Sequence, residues 1–309
     1  MNTSLPDKSV IIIAGPTAVG KTSAAISIAK HFGTEIISAD SRQCYKELNI
    51  GVARPSQEQL QEVPHYFIAS HSVQEEVNAV VFEKYALEKV KQIHQQHDTA
   101  IMVGGTGLYI RAFTEGLDDI PAVPKETREW INKQYAEMGL SWLQQQVKEK
   151  DPLFFEKGEV LNPQRLIRAL EVFEATGQSI LAFRKGEKVS RDFNIIKIAL
   201  ELPKEQLHQN IHFRTEEMIK QDLIAEVQSL NEYKNLNALR TVGYTEIFNY
   251  LEHKISLQEA IEQIKINTRQ YAKRQMTWFK KDLMYSWFQP ADIYNMISFV
   301  KKQLNHLND

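Results

Sequence analysis

The sequence predicts an α/β protein in which a parallel sheet carries a phosphate-binding loop and a helical domain is inserted into the chain. Three observations lead to this prediction. Short apolar runs alternate with helical patterns in the first third of the 309-residue chain, which is the sequence form of a parallel sheet covered by helices. A glycine-containing loop follows the first apolar run. A long helical region in the middle of the chain is followed by another apolar run, NIIKIALEL at 194–202.

The elements of the first third can be assigned in order. Buried strands are predicted at 10–14, 35–39 and 99–103, and the first leads through the glycine loop into a helix that ends near residue 31. An amphipathic helix is predicted at 77–94. Each strand ends in a polar or glycine-rich turn, and open parallel sheets bind ligands at the carboxyl ends of their strands. We therefore expect the functional residues at this edge.

The middle of the chain is predicted to be a separate helical domain. The segment PAVP at 121–124 is a candidate hinge, because each proline restricts the residue before it and blocks continuation of a helix. Residues 126–184 have a helical pattern, and helical patterns recur at 204–233 and 256–279 after the strand at 194–202. We expect a core made of 1–120 and 193–309, with carboxyl-terminal helices, and an inserted domain at 121–192.

Composition and charge exclude several classes of protein. The single cysteine, Cys44, allows neither an internal disulfide nor a cysteine-based zinc site, and it fits a reducing compartment. No apolar run approaches the ~20 residues of a membrane span, and the start MNTSLPDKSV lacks the apolar core of a leader. We therefore expect a cytoplasmic protein with no membrane partner. The net charge is −2, yet 265–281 contain six basic residues and no acidic one, which suits contact with a nucleic acid.

The segment GPTAVGKT at 15–22 matches the pattern G-x-x-x-x-G-K-[ST] between a strand and a helix. Backbone N–H groups and the positive end of the helix dipole would surround a phosphate oxyanion. Lys21 adds a point charge, and Thr22 offers a hydroxyl to Mg²⁺. The expected diphosphate- or nucleotide-binding residues are Gly15, Pro16, Thr17, Ala18, Val19, Gly20, Lys21 and Thr22. The loop indicates a P-loop NTPase-like core and a phosphate ligand, but it does not establish ATP hydrolysis.

Two further turns at the same edge admit more than one interpretation. Asp40 follows the second strand, and its position suits a magnesium ligand, a base facing the substrate, or an N-cap for a following helix equally well. The segment GGTG at 104–107 follows the third strand. Its glycines would allow close approach of a ligand, with Thr106 free to hydrogen-bond, or would serve a tight turn required by packing.

Six segments together resemble one family, the bacterial tRNA dimethylallyltransferases, which prenylate an adenosine beside the anticodon. They are GPTAVGKT (15–22), DSRQCYKELNIG (40–51), GGTGLYI (104–110), NPQRLIRALEV (162–172), RTVGYTEI (240–247) and RQYAKRQMTWFKK (269–281). They occur in the family's order, so the resemblance covers most of the chain. The sequence departs from the family pattern at Cys44, Val52 and Arg54, where Val, Thr and Lys are usual. The departure at position 52 removes any role for a threonine hydroxyl there.

The resemblance implies a reaction. The P-loop would hold the diphosphate of dimethylallyl diphosphate together with Mg²⁺, and Asp40 would face the exocyclic amine of adenine as hydrogen-bond acceptor and general base. Lys21, Thr22 and Arg214 would stabilise the departing diphosphate. Without the resemblance, Arg214 reads as a solvated helix charge near Glu217. The expected catalytic residues are therefore Asp40, Thr22, Lys21 and Arg214, and the expected acceptor is the adenosine immediately 3′ of the anticodon.

The resemblance also implies extensive contacts with the tRNA anticodon stem-loop, because extruding a stacked base costs on the order of a few kcal/mol. The residues expected to contact tRNA are Asp40, Ser41, Arg42, Gln43, Thr106, Arg128, Gln164, Arg165, Leu166, Ile167, Arg168, Arg240, Lys273 and Arg274. From the residues alone, QRLIR at 164–168 reads equally as a solvated helix face over a core, and the aromatic residues in 269–281 as core. The family precedent favours a monomer.

Three alternatives remain open at this point. A P-loop small-molecule kinase would use Asp40 to position a hydroxyl acceptor, and a P-loop RNA-binding regulator would carry out no chemistry. A third alternative is an isopentenyltransferase that acts on free adenine nucleotide. The predicted helical insertion and the acid-free segment at 265–281 favour polymeric RNA over a free nucleotide.

Overall fold

The computed structural model describes residues 8–308, which form two compact units. The larger unit contains the chain up to residue 114 and from residue 190 onward, and the smaller contains 115–189. The boundaries expected from the sequence, 121 and 192, lie a few residues further along the chain. Residues 1–7 of the start MNTSLPDKSV, on which the expectation about a leader rests, lie outside the described residues.

The larger unit is built on a six-stranded sheet. Its strands are β1 (Ser9–Ala14), β2 (Ile36–Ser38), β3 (His65–Tyr66), β4 (Thr99–Gly104), β5 (Asn194–Leu200) and β6 (Ser286–Phe288), in the order β3-β2-β4-β1-β5-β6. Each pairing is parallel. In register, Ala14 of β1 lies opposite Gly104 of β4, so the loops that follow these strands begin side by side. The predicted α/β class and parallel sheet are confirmed.

The sequence of the central strands explains their position. Every residue of β1 and β4 is buried, because strands covered by helices on both faces need no polar alternation. The short strands β3 and β6 have only half-buried residues. They lack an apolar run, and the sequence did not predict them.

The first helices connect these strands. They are α1 (Lys21–Phe32), α2 (Gln57–Glu62), α3 (Ala79–Ile93) and α4 (Gly107–Glu115). Helix α1 begins directly after the glycine loop and ends at Gly33, whose φ of 59° lies in the left-handed region that glycine adopts without strain. The Asn78 side chain caps α3 by accepting hydrogen bonds from the N–H groups of Val80 and Val81. Helices α2 and α4 were not predicted, and α4 begins inside the segment GGTG.

The smaller unit is helical. It contains α5 (Lys125–Lys150), α6 (Pro152–Lys157), α7 (Pro163–Thr176) and α8 (Ile180–Phe183). Helix α5 is kinked at Gly139, whose backbone is not helical. Apolar residues from these helices form a core of their own, including Ile131, Leu143, Val147, Phe154, Leu166, Ile167 and Leu170.

The remaining helices belong to the larger unit. They are α9 (Lys204–Lys220), α10 (Leu223–Ser229), α11 (Tyr244–Leu251), α12 (Leu257–Phe279) and α13 (Ile293–Asn308). The single helical pattern expected at 204–233 is wrong as a continuous helix. The chain breaks at Asp222, which has a φ of 70° and caps α10 through its side chain. Within residues 8–308, none of the helices combines the length and the apolar character needed to cross a membrane.

Candidate active site

A cleft of about 800 Å³ opens in the larger unit at the carboxyl edge of the sheet. Its walls come from the segments after β1, β2 and β4 and from helices α9 and α12. This is the edge at which the sequence predicts the functional residues. The side chains that line the cleft include Thr17, Lys21, Thr22, Asp40, Ser41, Arg42, Gln43, Arg214, Arg240 and Arg274.

The phosphate loop has the backbone that its glycines permit. Gly15 and Gly20 have φ values of 149° and 99°, a region that residues with a Cβ rarely adopt. A Cβ on Gly15 would also lie 2.8 Å from the carbonyl oxygen of Leu200. The Lys21 Nζ donates a hydrogen bond of 2.7 Å to the Pro16 carbonyl, so the lysine folds back over the loop that it follows.

Helix α9 holds the phosphate loop from the other side. Arg214 Nη1 donates a 3.0 Å hydrogen bond to the Thr17 hydroxyl, and Asn210 Nδ2 donates a 3.1 Å hydrogen bond to the Ala18 carbonyl. Asn210 and Arg214 are four residues apart and therefore share one helix face. The sequence did not single out Asn210, although this spacing from Arg214 was a signal that could have found it.

Two cations in the cleft are poorly solvated. Burial lowers the pKa of Lys21 from 10.5 to about 8, while the Asp40 carboxylate opposes this shift and the Arg214 guanidinium adds to it. Burial also lowers the pKa of Arg214, again opposed by Asp40. Two desolvated positive groups lie near a single carboxylate, so one positive charge is not balanced by it. This arrangement favours an anionic ligand, whose negative charge would balance that positive charge.

Asp40 caps a turn and also faces the cleft. Its Oδ1 accepts hydrogen bonds from the N–H groups of Arg42 (2.8 Å) and Gln43 (3.2 Å). These bonds hold a turn rather than the helix that the capping interpretation assumed. Both hydrogen bonds end on Oδ1, which leaves Oδ2 for a ligand in the cleft. The helix-capping interpretation of Asp40 is therefore wrong, because a turn and not a helix begins after it, and the magnesium-ligand and base interpretations remain predictions.

The GGTG segment is packed too closely for larger residues. A Cβ on Gly104 would lie 2.2 Å from the Ala39 carbonyl oxygen, and one on Gly107 would lie 2.2 Å from the Trp278 indole. Both contacts are with protein, so the packing interpretation holds for these two glycines. Thr106 has its own role here, because its hydroxyl accepts a 3.1 Å hydrogen bond from the Ser41 N–H. Thr106 therefore ties this loop to the turn after Asp40.

The turn after Asp40 is held by contacts within the protein. Gln43 Nε2 donates to the carbonyls of Val52 (3.2 Å) and Ala53 (2.9 Å), and Arg42 Nη1 donates to the Asn237 carbonyl at 2.9 Å. Arg54 donates to three main-chain carbonyls, those of Tyr45, Lys46 and Leu48. Arg54, one of the departures from the family pattern, thus braces this segment of main chain, whereas Val52 lines the cleft.

Helix α12 presents aromatic and basic side chains at the cleft. Tyr271 and Arg274 line it, with the Arg274 guanidinium 5.8 Å from the Tyr271 ring centre. Desolvation of its hydroxyl, with Asp40 adding to the effect, raises the pKa of Tyr271 to about 12. Lys273 and Trp278 are exposed on the same helix. The core interpretation therefore does not hold for Tyr271 and Trp278, whereas it holds for Phe279, which is buried.

The basic residues of 265–281 do not form one free face. Lys265 is 8% exposed and pairs with Glu262 (3.0 Å) and Glu216 (3.5 Å). Arg269 Nη1 donates to His212 Nε2 at 2.8 Å, and Lys280 lies 3.7 Å from Glu201. Counting basic residues in 265–281 therefore overstates the accessible positive charge. The side chains that pair with Lys265, Arg269 and Lys280 lie outside this segment, one turn earlier on α12 or elsewhere in the chain.

In the smaller unit, two predicted arginines share one carboxylate. Arg128 Nε lies 3.2 Å from one oxygen of Glu171, and Arg168 Nη1 lies 3.3 Å from the other. Glu171 is only 3% exposed. Gln164 and Arg165 are exposed at the start of α7, where Arg165 pairs with Glu159.

Two residues of the predicted RNA-binding segment are buried. Leu166 and Ile167 are 0% and 4% exposed and pack in the core of the smaller unit. The prediction is wrong for these two side chains, because they form the apolar stripe on which the polar face of α7 rests. The alternative interpretation of QRLIR, a solvated helix face over an apolar core, correctly places Leu166 and Ile167 in that core.

The fold and the cleft define a class: an α/β protein with a P-loop beside a carboxylate and a second cation. The IPP transferase family profile matches residues 43–282. The tRNA dimethylallyltransferase of Cytophaga hutchinsonii is 42% identical over 301 residues, covering 97% of this chain and 99% of that protein. That of Christiangramia forsetii is 44% identical over 297 residues, covering 96% and 98%. The chain belongs to the IPP transferase family.

Solved structures agree with this assignment. The full-length tRNA isopentenylpyrophosphate transferase of Bacillus halodurans has a TM-score of 0.72 and 30% identity, covering 97% of this chain and 98% of that one. A eukaryotic dimethylallyltransferase, solved acting on tRNA, has a TM-score of 0.70 and 27% identity, covering 88% and 69%. These relatives give no support to a small-molecule kinase, a non-catalytic RNA-binding regulator or a transferase acting on free nucleotide.

Proposed function

We propose that the protein transfers the dimethylallyl group of dimethylallyl diphosphate to the exocyclic amine of the adenosine immediately 3′ of the anticodon in tRNA. In this reaction a nitrogen–carbon bond forms, and the bond from that carbon to the diphosphate oxygen breaks. The diphosphate leaves with the electron pair, and the amine loses a proton. The observation that carries the proposal is one cleft in which Asp40 faces the P-loop cations. The tRNA acceptor is carried over from the relatives.

The phosphate loop suits the donor end of this reaction. The loop amides of residues 15–22, Lys21 and Arg214 would hold the diphosphate and stabilise the negative charge that grows on it as the carbon–oxygen bond breaks. The Arg214 bond to Thr17 fixes this guanidinium against the loop before substrate arrives. Fixed donors need no reorganisation during the reaction.

Asp40 suits the acceptor end. Oδ2 would accept a hydrogen bond from the adenine amine and take its proton, while Oδ1 keeps the turn in place. Ser41, Arg42, Gln43 and Thr106 would surround the extruded base. Two of these side chains already have partners within the protein. The Gln43 amide N–H groups donate to main-chain carbonyls, and the Thr106 hydroxyl accepts from the Ser41 N–H.

Magnesium fits the oxygen donors of the cleft. Within residues 8–308, no three His, Cys, Asp or Glu side chains cluster to hold a metal ion, but Mg²⁺ on phosphate ligands needs only one or two protein oxygens. Thr22 lines the cleft beside Lys21, and its hydroxyl would be that ligand. Bound there, Mg²⁺ would neutralise diphosphate charge.

The RNA contacts would come from both units. Arg240, Lys273 and Arg274 in the larger unit and Arg128, Gln164, Arg165 and Arg168 in the smaller are accessible polar residues on the proposed RNA-facing segments. Their guanidinium and ammonium groups suit backbone phosphates, and the exposed rings of Tyr271 and Trp278 suit stacking on unpaired bases. We expect the protein to act as a monomer in the cytoplasm.

The direct test is a transfer assay with purified protein, dimethylallyl diphosphate, Mg²⁺ and an unmodified tRNA whose anticodon is followed by adenosines. We expect the intact mass of the tRNA to rise by one dimethylallyl group. The control is a matched tRNA in which guanosine replaces the adenosine immediately 3′ of the anticodon, and this tRNA should not react. ATP turnover without prenyl transfer would contradict the proposal and support a kinase.

A further inference from the structure

We infer that Gln275 is a positioning residue that sets the distance between the two halves of the active site; this inference rests on the proposed function. Gln275 lies on α12 and is 7% exposed. Neither the phosphate loop nor the turn after Asp40 includes it in sequence. Its side-chain amide nevertheless binds the main chain of the two loops that follow β1 and β4.

The amide makes one hydrogen bond to each side. Gln275 Oε1 accepts a 2.8 Å hydrogen bond from the Thr17 N–H in the phosphate loop. Gln275 Nε2 donates a buried 3.0 Å hydrogen bond to the Gly105 carbonyl in the GGTG loop. A glutamine amide is the neutral side chain that can accept on one side and donate on the other at this reach. Each main-chain group would otherwise lack this partner, and an unpaired buried polar group is costly.

The bridge connects the donor side to the acceptor side. From Gly105 the chain continues to Thr106, whose hydroxyl binds the Ser41 N–H next to Asp40. On the other side, Thr17 also receives the Arg214 guanidinium. Gln275 therefore joins the group that holds the diphosphate to the loop that orients the base. Transfer requires the amine and the allylic carbon to be aligned closely, and a misplacement of about 1 Å can cost on the order of 100-fold in rate.

Gly105 provides an independent way to break the bridge. A Cβ on Gly105 would lie 2.2 Å from Gln275 Nε2, and its next nearest neighbours are Gln275 Cδ at 3.4 Å and the Gly15 carbonyl at 3.5 Å. The close contact is thus with the end of a side chain and not with main chain, so we expect Gly105→Ala to displace the Gln275 amide while the surrounding main chain stays in place.

The experiment is a double-mutant cycle of Gln275→Ala and Gly105→Ala, measured by kcat for prenyl transfer, KM for each substrate, and thermal denaturation. We expect each single variant to lower kcat on the order of 10- to 100-fold, with KM for tRNA changed less than about threefold. The double variant should be no slower than Gln275→Ala alone, because that truncation removes the atom with which the new methyl collides. The Gln275→Glu variant keeps the acceptor for the Thr17 N–H but places an oxygen against the Gly105 carbonyl oxygen. Its kcat should therefore also be below that of the wild-type protein.

The matched control is Gln263→Ala, on an exposed position of the same helix and outside the segment 265–281, which should retain wild-type kcat. Independent, multiplying losses in the double variant would show that Gly105 acts without Gln275 and would overturn the inference. So would unchanged kcat in folded Gln275→Ala. Absence of prenyl transfer by the wild-type protein would instead contradict the proposed function, so the two failures are distinguishable.

Discussion

Replacing Asp40 with Asn separates its capping of the turn from the proton acceptance that we propose for it. The Asn Oδ1 can still accept from the N–H groups of Arg42 and Gln43, which now lie 2.8 and 3.2 Å from Asp40 Oδ1, and Asn caps about as well as Asp. Its Nδ2, however, donates hydrogen bonds and cannot take a proton from the adenine amine. Asp40→Ala removes both functions at once.

The two substitutions therefore have different expected costs. General-base catalysis contributes about 10²- to 10⁴-fold in rate, so Asp40→Asn should lower the single-turnover rate by that factor with little change in stability. Asp40→Ala should lose a similar rate and, in addition, about 1 kcal/mol of capping free energy, which corresponds to roughly 2–4 °C in Tm for a unit of this size.

The assay is single-turnover prenyl transfer at saturating tRNA and donor, with thermal denaturation run on the same samples. The measurements belong at pH 7 or below. Asp40 raises the pKa of Lys21, which is about 8, so its loss lowers that pKa and would deprotonate the lysine at higher pH. Wild-type rate in Asp40→Asn together with a slow Asp40→Ala would refute the base and leave only the capping role.

Two further predictions concern the anion sites. Because Lys21 has a pKa lowered to about 8, it is protonated below that pH and loses its charge as the pH rises through it. The affinity for inorganic diphosphate, measured by calorimetry, should therefore fall by up to about tenfold per pH unit above 8. The Lys21→Met variant should lack this pH dependence. An equal pH dependence in that variant would show that it comes from the ionisation of diphosphate and not from Lys21. In the smaller unit, Arg168→Ala should make the slope of the logarithm of the tRNA association constant against the logarithm of the salt concentration less steep by about one, with no change in rate at saturating tRNA. The control is Lys301→Ala at an exposed position of α13, which should leave the slope unchanged. An unchanged slope in Arg168→Ala would exclude a phosphate contact by this arginine.

The sequence predicted the fold where one interaction dominates. The strands β1 and β4 come from short apolar runs and are buried throughout, the pattern expected of strands covered by helices on both faces of a parallel sheet. The edge strands β3 and β6 are two and three residues long, and so short a segment carries no periodicity. The break at Asp222 depends on one residue in a left-handed conformation, which a helical pattern does not reveal.

The structure brings the predicted P-loop, Asp40 and Arg214 to one cleft, and their roles stay predictions. The P-loop is recognisable because the geometry of phosphate binding dictates the spacing of such loops. The sequence could not show that the Asp40 carboxylate caps a turn through one oxygen, because the N–H groups from which it accepts belong to the main chain. Gln275 was missed because both its partners are main-chain groups, far from it in sequence, and main-chain hydrogen bonding leaves no pattern in a single sequence.

The most direct test of the central claim is to locate and count the products of one reaction. After incubation with dimethylallyl diphosphate and Mg²⁺, the tRNA is digested and its nucleosides are identified by mass spectrometry, while released diphosphate is quantified in parallel. One dimethylallyl group on the exocyclic nitrogen of the adenosine immediately 3′ of the anticodon, with one diphosphate released for each, is the predicted result. Diphosphate release without modified adenosine, or a prenyl group at another position, would contradict it.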